Sequence, residues 1–255
     1  QILKTIIHLS SINNTTNLGI DTINNTYNLA DKDSSGHRSF KNVINIKLLG
    51  ALIPYVPQNI YADLLTDNSP DKKPSNILYF ISGHTVEVTP GYYTIYSLIS
   101  TLNNSMAASG LGNFSFNNIT KLLTLNGNAS GISGSGVLYK KLGFQSPGNL
   151  NNTTNNIPDL SIHYIDIVYS DMHPKGATLT NNDGKILKRI PLNGQPGDMI
   201  YYDAPHSDYL SQDLFMPDIN SNISKISIFF KRHDSSRYNL LGLHYDLKLE
   251  ITELV

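Results

Sequence analysis

The segment DKDSSGHRSFKN, from Asp31 to Asn42, has residue types and spacing that resemble the start of a calcium-binding loop. Asp31, Asp33 and Ser35 stand at alternate positions, where oxygen ligands are needed, and Gly36 follows where such a loop turns sharply. The twelfth position holds Asn42, whereas a calcium loop has a glutamate there that gives two oxygens to the ion. No helix pattern flanks the segment. We therefore expect a polar loop and no bound metal.

Acidic and histidine side chains also cluster later in the chain. The segment YDAPHSDY brings together Asp203, His206 and Asp208, residue types that bind metal ions or exchange protons. A proline within the segment favours a solvent-exposed turn, and we expect that role instead. His163 and Asp166 lie three residues apart in a predicted strand, so their side chains point to opposite faces and cannot act as a pair.

The other motifs do not indicate an enzyme. The glycine-rich segment SGISGSG lacks the Lys-Ser or Lys-Thr that follows a phosphate-binding loop, and we expect a flexible loop there. There is no cysteine for a thiolate ligand or nucleophile, and no serine elbow, zinc-binding helix or dinucleotide fingerprint. We predict no catalytic, cofactor-binding or metal-binding residues.

The amino-acid composition argues against some classes of binding partner. The net charge is −1 and only 15% of the residues are charged, which argues against a protein that binds nucleic acid through a broad basic face. No apolar run is long enough to cross a bilayer, so we expect a soluble protein. The 15 tyrosines often stand near turns. Tyrosine there suits a protein-binding or sugar-binding surface, and it equally suits half-buried strand positions.

Alternation of apolar and polar residues predicts β-strands along most of the chain. The residues predicted to face the core in the three clearest strands are Ile44, Ile46 and Leu48, then Ile226, Ile228 and Phe230, and finally Leu243, Tyr245, Leu247, Leu249 and Ile251. Further strands are predicted within 4–10, 77–82, 84–89, 113–117, 121–126, 160–170, 185–193 and 198–203. Short strands separated by Gly, Pro and Asn turns indicate an all-β sandwich or barrel.

One amphipathic helix follows the Pro90-Gly91 turn. Its apolar residues recur at the spacing of a single helix face, and they are Ile95, Leu98, Ile99, Leu102 and Met106. Thr94 is placed to cap its N-terminus. We expect this helix to lie across an open end of the sandwich and to cover core that the strands leave exposed.

Turn residues mark the connections. The segment 113–127 predicts a hairpin that turns at Asn117 and Asn118, since asparagine tolerates a positive φ. Long loops are predicted at 16–25, 67–76, 126–136 and 146–159. The last of these is the expected boundary between two halves of the chain.

Five segments occur in an order that resembles a known family. They are ILKTIIHLSSINNTTN, VINIKLLGALIPYVPQNIY, VEVTPGYYTIYSLISTLNN, FSFNNITKLLTLNG with LYKKLGF, and ISKISIFFKRHD with LHYDLKLEI. The most specific parts are ALIPYVPQNIY, PGYYT and KKLGF. Together the segments resemble the penton (vertex) and minor capsid proteins of virophages, polinton-like viruses and related large DNA viruses, over most of the chain.

The resemblance implies an all-β fold, a single jelly-roll β-sandwich of two antiparallel sheets over residues 1–255, with one short helix and long loops. It allows a small β subdomain inserted within about residues 145–215 and facing outward. The implied function is that of a structural virion protein, a penton subunit whose five copies form a vertex of an icosahedral capsid.

The implied partners are copies of the chain, the neighbouring double jelly-roll major capsid protein and a host receptor, with no cofactor, no direct nucleic-acid contact and no membrane span. The implied location is the capsid vertex of the virion, with assembly in the host cytoplasm. The polar N-terminal stretch before Ile44 is expected to fold on a neighbouring subunit.

Two other functions are compatible with the same fold. A jelly-roll lectin or receptor-binding module would recognise glycans or a host surface protein through tyrosine-rich loops. A cupin-type metalloenzyme would need several inward-facing histidines on neighbouring strands, and the scattered histidines here do not supply them.

Overall fold

The computed structural model describes residues 1–13, 25–28, 40–56, 58–62, 75–127, 131–145, 153–169, 180–181, 184–204, 214–215, 223, 225–233 and 236–255. In chain order its strands are β1 (Ile2–Ser10), β2 (Asn25–Asn28), β3 (Val43–Pro54), β4 (Ile77–Tyr79), β5 (Thr85–Glu87), β6 (Asn113–Phe116), β7 (Leu123–Asn126), β8 (Tyr164–Tyr169), β9 (Thr180–Asn181), β10 (Gly184–Pro191), β11 (Met199–Asp203), β12 (Leu214–Phe215), β13 (Lys225–Arg232) and β14 (Asp246–Leu254). The helices are α1 (Ile95–Ala107) and α2 (Leu138–Lys141), and a short 3-10 turn covers Ser11–Asn13.

The chain divides into two compact units. Unit 1 comprises Gln1–Val56 and His163–Val255, and unit 2 comprises Pro57–Ile162. Every predicted strand is present, and the short strands β2, β9 and β12 are additional. The described strands between residues 145 and 215, where the resemblance allowed an insertion, lie in the two large sheets of unit 1. The segment outside those sheets is unit 2, whose C-terminal limit lies close to the predicted boundary loop at 146–159.

Unit 1 is a jelly roll. One sheet, called sheet A here, has the order β1-β14-β3-β11, with β12 also paired to β3, and the other, sheet B, has the order β2-β13-β8-β10-β9. Among the eight main strands the first pairs with the last (β1 with β14), the second with the seventh (β2 with β13), the third with the sixth (β3 with β11) and the fourth with the fifth (β8 with β10), all antiparallel. This is one long hairpin rolled into two sheets, which is the jelly-roll connectivity.

The two sheets of unit 1 are joined by buried aromatic contacts. Phe230 of sheet B meets Tyr245, just before β14 in sheet A, edge to face with ring centroids 4.8 Å apart. The Tyr27 hydroxyl of β2 donates a hydrogen bond of 2.6 Å to the Tyr245 hydroxyl. Aromatic pairs of this geometry add stability beyond the area that they bury. The predicted inward residues of β13 and β14 are buried, except Leu243, which precedes β14 in a turn and is exposed.

Two irregularities in β3 change which of its residues face the core. The pairing of β3 with β14 skips Ile44 and Leu49. Each skip inserts an extra residue and exchanges the two faces of the strand, as a β-bulge does. Val43 is therefore buried and Ile44 is only half-buried, so the prediction for Ile44 is wrong, whereas Ile46 is buried as predicted.

Residues before Ile44 were expected to fold on a neighbour, and β1 shows otherwise. All nine residues of β1 pair with β14, from Ile2 opposite Leu254 to Ser10 opposite Asp246. Leu9 is buried in the core of unit 1. The first strand is thus part of the sandwich of its own chain, because its inward residues Ile7 and Leu9 stand opposite the buried residues Leu249 and Leu247 of β14.

Unit 2 has a hydrophobic core of its own. The hairpins β4–β5 and β6–β7 pack with α1, which buries Leu98, Ile99, Leu102 and Met106 as predicted. These side chains join Leu78, Val86, Phe114 and Leu138 in one cluster. The helix therefore covers the core of unit 2, and the expectation that it covers core left exposed by the strands of the sandwich is wrong.

Local hydrogen bonds fix where α1 begins and how it is held. Thr94 and Ser97 form a capping box, in which the Ser97 amide donates to Thr94 Oγ1 (3.2 Å) and the Thr94 amide donates to Ser97 Oγ (2.9 Å). The predicted cap at Thr94 is confirmed. The Asn103 side chain bonds both the amide and the carbonyl of Phe114, at 2.6 and 2.9 Å, which ties the helix to β6.

The predicted hairpin β6–β7 is present, but its turn differs from the prediction. Asn117 Oδ1 accepts from the amides of Ile119 and Thr120, at 2.8 and 3.1 Å. The residue with positive φ is Lys121, at 60°, rather than an asparagine. Asparagine thus serves this turn through its side-chain oxygen, which replaces a backbone acceptor.

The described part of the glycine-rich segment, residues 131–136, is a loop, and it is bound to the β4–β5 hairpin. In its described part, Ile132 is buried and forms a bridge with Phe80. The Ile81 amide donates to the Gly131 carbonyl (3.0 Å), and the Ser133 amide donates to the Tyr79 carbonyl (2.7 Å). These residues extend the β4–β5 hairpin.

Candidate functional site

The residues of the segment that resembles a calcium loop, Asp31, Asp33, Ser35 and Gly36, lie outside the described part of the chain. Asn42, the residue at its twelfth position, is described. Its side-chain amide donates to the Leu254 carbonyl (3.2 Å), and its own carbonyl accepts from the Leu254 amide (3.0 Å). Asn42 also has a φ of 51°. Its role is to join the start of β3 to the end of β14.

The first acidic residue of the segment YDAPHSDY, where a solvent-exposed turn was expected, ends a strand. Asp203 is the last residue of β11, pairs with Gly50 of β3 and is exposed. His206 and Asp208 lie outside the described residues. Within the described ranges no group of three histidine or acidic side chains is placed to hold a metal ion. Nor does this part of the chain contain a helix long and apolar enough to span a membrane.

His163 and Asp166 have different partners. Asp166 is buried in β8 and accepts two hydrogen bonds from Arg189, at 2.8 Å from Nε and 3.0 Å from Nη2. These bonds raise the pKa of Arg189. The His163 ring lies 5.0 Å from the ring of His233. Asp166 therefore forms a structural ion pair between β8 and β10.

Buried tyrosines hold the sandwich together. Burial raises the pKa of Tyr27 to about 12, and the hydrogen bond with Tyr245 offsets part of this effect. Burial raises the pKa of Tyr245 as well, and the neighbouring Tyr27 adds to the rise. Tyr238 accepts a 2.8 Å hydrogen bond from the Val56 amide, and burial raises its pKa to about 12. The raised pKa values mean that all three hydroxyls stay neutral to a higher pH than an exposed tyrosine does.

We expect unit 1 to lose stability at alkaline pH. A tyrosine whose folded-state pKa exceeds its unfolded value contributes stability that is fully present below the unfolded pKa of 10.0 and is lost as the pH rises towards about 12. The urea midpoint, followed by circular dichroism, should stay constant up to about pH 9 and fall above about pH 10.

The double variant Tyr27→Phe/Tyr245→Phe removes both hydroxyls of the buried pair, which leaves no unpaired partner behind. Its midpoint should fall less steeply above pH 10, because Tyr238 alone remains of the three. The matched control Tyr201→Phe changes a tyrosine that is 72% exposed and should keep the original slope. Equal slopes for both variants would contradict this role of the pair.

Sheet A ends at β1 on one side, and this strand carries exposed apolar side chains. No other described strand pairs with its free side. Ile2 and Ile6 are 61% and 51% exposed and lie on the outer face of the sheet, the face opposite the core. Between them Lys4 donates to Glu250 of β14 (2.9 Å). We call the free side of β1, with Ile2, Lys4 and Ile6, the β1 edge.

The other end of sheet A is β11. Met199 and Tyr201 are 47% and 72% exposed on the same outer face, and Ile200 and Tyr202 point inward. A cavity of about 530 Å³ runs beside the strand, between it and Ile190 and Pro191 at the end of β10. The Tyr202 hydroxyl is buried and has no hydrogen-bond partner in the described part of the chain. We call this strand and its cavity the β11 edge.

An edge strand presents unpaired backbone donors and acceptors, and natural proteins usually protect it with charges, bulges or a covering segment. Among the described strands, neither end of sheet A has a further partner, and both ends carry exposed apolar side chains beside a single charge, Lys4 on β1 and Asp203 on β11. Their arrangement is that of surfaces that bind another polypeptide by adding a strand to the sheet. The chemistry that they offer is binding.

The chain matches no protein-family model and no curated protein. Among solved structures it is similar to the crystal structure of a mavirus penton protein, with 14% identity, a TM-score of 0.44 and coverage of 100% of both chains. It is also similar to a chain of the cryo-EM structure of the Sputnik virophage, with 11% identity, a TM-score of 0.35, and coverage of 90% of this chain and 97% of that one. A penton protein and a chain of a virophage structure are thus among the structures that this chain is similar to, and the sequence resemblance had named penton proteins and virophages.

The sequence analysis predicted both strands but not their exposure. The signal that the sequence analysis missed is that apolar residues stand next to each other in ILKTII, Ile2 beside Leu3 and Ile6 beside Ile7. Adjacent residues of a strand point to opposite faces, so such pairs place apolar groups on both faces. The segment MIYY of β11 has the same property. In a sheet with one solvent-facing side, this pattern indicates a second buried contact.

Proposed function

We propose that this chain is a structural protein of a virus particle, a penton subunit whose five copies form the vertex of an icosahedral capsid. The observation that carries the proposal is a jelly roll in which no further described strand pairs beyond β1 or β11 of sheet A, and both strands carry exposed apolar side chains. Two different surfaces at opposite ends of one sheet allow head-to-tail contacts, which close into a ring when the rotation between copies fits.

The described polar side chains support a role in assembly. Asp166 is paired with Arg189, and the buried tyrosines join strands of the sandwich. These groups hold the fold together and leave no constellation of nucleophile, base and orienting group in the described residues. The small net charge of −1 is also suited to close packing of identical copies, which a strong charge of one sign would oppose.

The resemblance of the sequence motifs supplies the remaining parts of the proposal. The neighbours of the penton are the double jelly-roll major capsid proteins, and a host receptor is bound from the outer surface. The location is the capsid vertex of the virion, with assembly in the host cytoplasm. The motifs lie in both units, since ALIPYVPQNIY ends β3 and enters unit 2, and KKLGF ends α2.

The test is to find the chain in particles and to measure its mass. Cryo-EM of the source particle should show five copies around each five-fold axis. Native mass spectrometry of the purified chain at increasing concentration should show a five-copy species. A higher concentration increases the fraction of chains that are associated, even when each contact is weak.

A monomer or trimer that binds glycans on an array, and is absent from vertices, would contradict the penton and favour the lectin module. Vertices built from a different chain would contradict it as well.

A further inference from the structure

We propose that the β1 edge of one copy adds to the β11 edge of the next, so that sheet A continues from copy to copy. This inference rests on the proposed function, since it names the contact through which the penton subunits would join. The partner is a second copy of this chain, and the segment that it contributes is β1.

Strand direction favours this contact. Each strand of sheet A is antiparallel to its neighbour, so β1 and β11 run in opposite directions. A second copy in the same orientation therefore offers its β1 antiparallel to β11 of the first. The contact joins two different surfaces, so each copy uses both ends and the interface can repeat around a ring.

One register of this contact places favourable pairs of side chains opposite each other on the outer face of the sheet. If Ile6 of the second copy stands opposite Tyr201, antiparallel pairing places Lys4 opposite Asp203. An aliphatic side chain then covers an exposed aromatic ring, and a cation faces a carboxylate, which are both favourable cross-strand pairs. Ile6, Tyr201, Lys4 and Asp203 are all exposed in the single chain.

The same register also places compatible side chains opposite each other on the inner face of the sheet. It places Thr5 opposite Tyr202 and Ile7 opposite Ile200. Thr5 and Ile7 face inward, because they pair with the buried residues Ile251 and Leu249. Thr5 thus brings a hydroxyl to the side of β11 where the buried Tyr202 hydroxyl has no partner in the described residues. The cavity beside β11 gives the incoming strand its space.

Cysteine cross-linking tests both the contact and its register, because the chain has no cysteine of its own. Residues directly opposite each other in an antiparallel pair have Cα atoms about 4.5–5.5 Å apart, which lies within the range that a disulfide spans. Full-length Ile6→Cys and Tyr201→Cys variants would be mixed, concentrated until the five-copy mass appears, and oxidised. We expect a disulfide-linked dimer in the mixture and none with either variant alone. A double variant that carries both Ile6→Cys and Tyr201→Cys should give a ladder of cross-linked species of up to five copies.

The matched control is Leu3→Cys mixed with Tyr201→Cys. Leu3 is 49% exposed on the same strand but faces the inner side, so this mixture should not cross-link. Cross-linking of Ile6→Cys with itself would overturn the proposal in favour of a symmetric β1–β1 contact. A five-copy mass with no Ile6–Tyr201 cross-link would overturn the edge contact and leave the penton standing. Vertices that lack this chain would overturn the penton itself.

Discussion

Replacing Leu98 by aspartate should unfold unit 2. The Leu98 side chain is completely buried in the core that α1 shares with β5 and β6. Removing it leaves a cavity, and the carboxylate in its place is either an unpaired buried charge or a protonated group without a partner. We expect a loss of more than about 4 kcal/mol, which is a large part of the stability of an ordinary domain.

The measurement is hydrogen exchange of peptides from α1 and β6, together with limited proteolysis. Both should show loss of protection within unit 2. Ser100→Asp is the matched control, since Ser100 lies on the exposed side of the same helix and receives the same new charge. It should change protection little. If Leu98→Asp and Ser100→Asp behaved alike, the helix would not be the centre of this core.

Gly143→Ala, in the KKLGF motif, should strongly destabilise unit 2. Gly143 ends α2 in a Schellman motif, in which its amide donates to the Lys140 carbonyl (2.9 Å) and the Phe144 amide donates to the Tyr139 carbonyl (3.0 Å). Its φ is 95°, and an added Cβ would stand 2.2 Å from the Asn156 carbonyl oxygen. Because a backbone atom cannot swing away as a side chain can, we expect a cost of about 3–5 kcal/mol.

Thermal unfolding monitored by circular dichroism measures this effect, with Gly83→Ala as its control. Gly83 has a φ of 84° and lies in the same unit, but an added Cβ would meet no atom within 4 Å. This control has the same backbone strain without the clash and should cost about 1–2 kcal/mol. If Gly143→Ala melted at a temperature no lower than Gly83→Ala, the added Cβ would not clash with the Asn156 carbonyl oxygen, and this prediction would be wrong.

Local sequence patterns determined the secondary structure of this chain because they act over a few residues. Period-two alternation predicted all the longer strands, and the stripe from Leu98 to Met106 predicted the buried face of α1. Thr94 predicted the start of the helix, since a capping side chain bonds amides of its own first turn. The order of the short motifs indicated the jelly roll, which strand pairing in unit 1 confirms.

Long-range pairing decided what those patterns left open. The bulges at Ile44 and Leu49 arise from the pairing of β3 with β14, about two hundred residues later, so no local signal gives the faces of β3. The division of the chain at Val56 depends on which core accepts each apolar side chain, and the stripe of α1 is equally compatible with either unit.

The β1 edge and the β11 edge also depend on long-range strand pairing, which local sequence patterns do not reveal. The residues of ILKTII and MIYY predict strands, but their exposure follows from the order of sheet A, which places β1 and β11 at its two ends. Sequence alone determined that these segments extend and pair, because alternation is a property of neighbouring residues. Only the tertiary structure decided that each pairs with a described strand on one side alone, because that depends on strands brought together from distant parts of the chain.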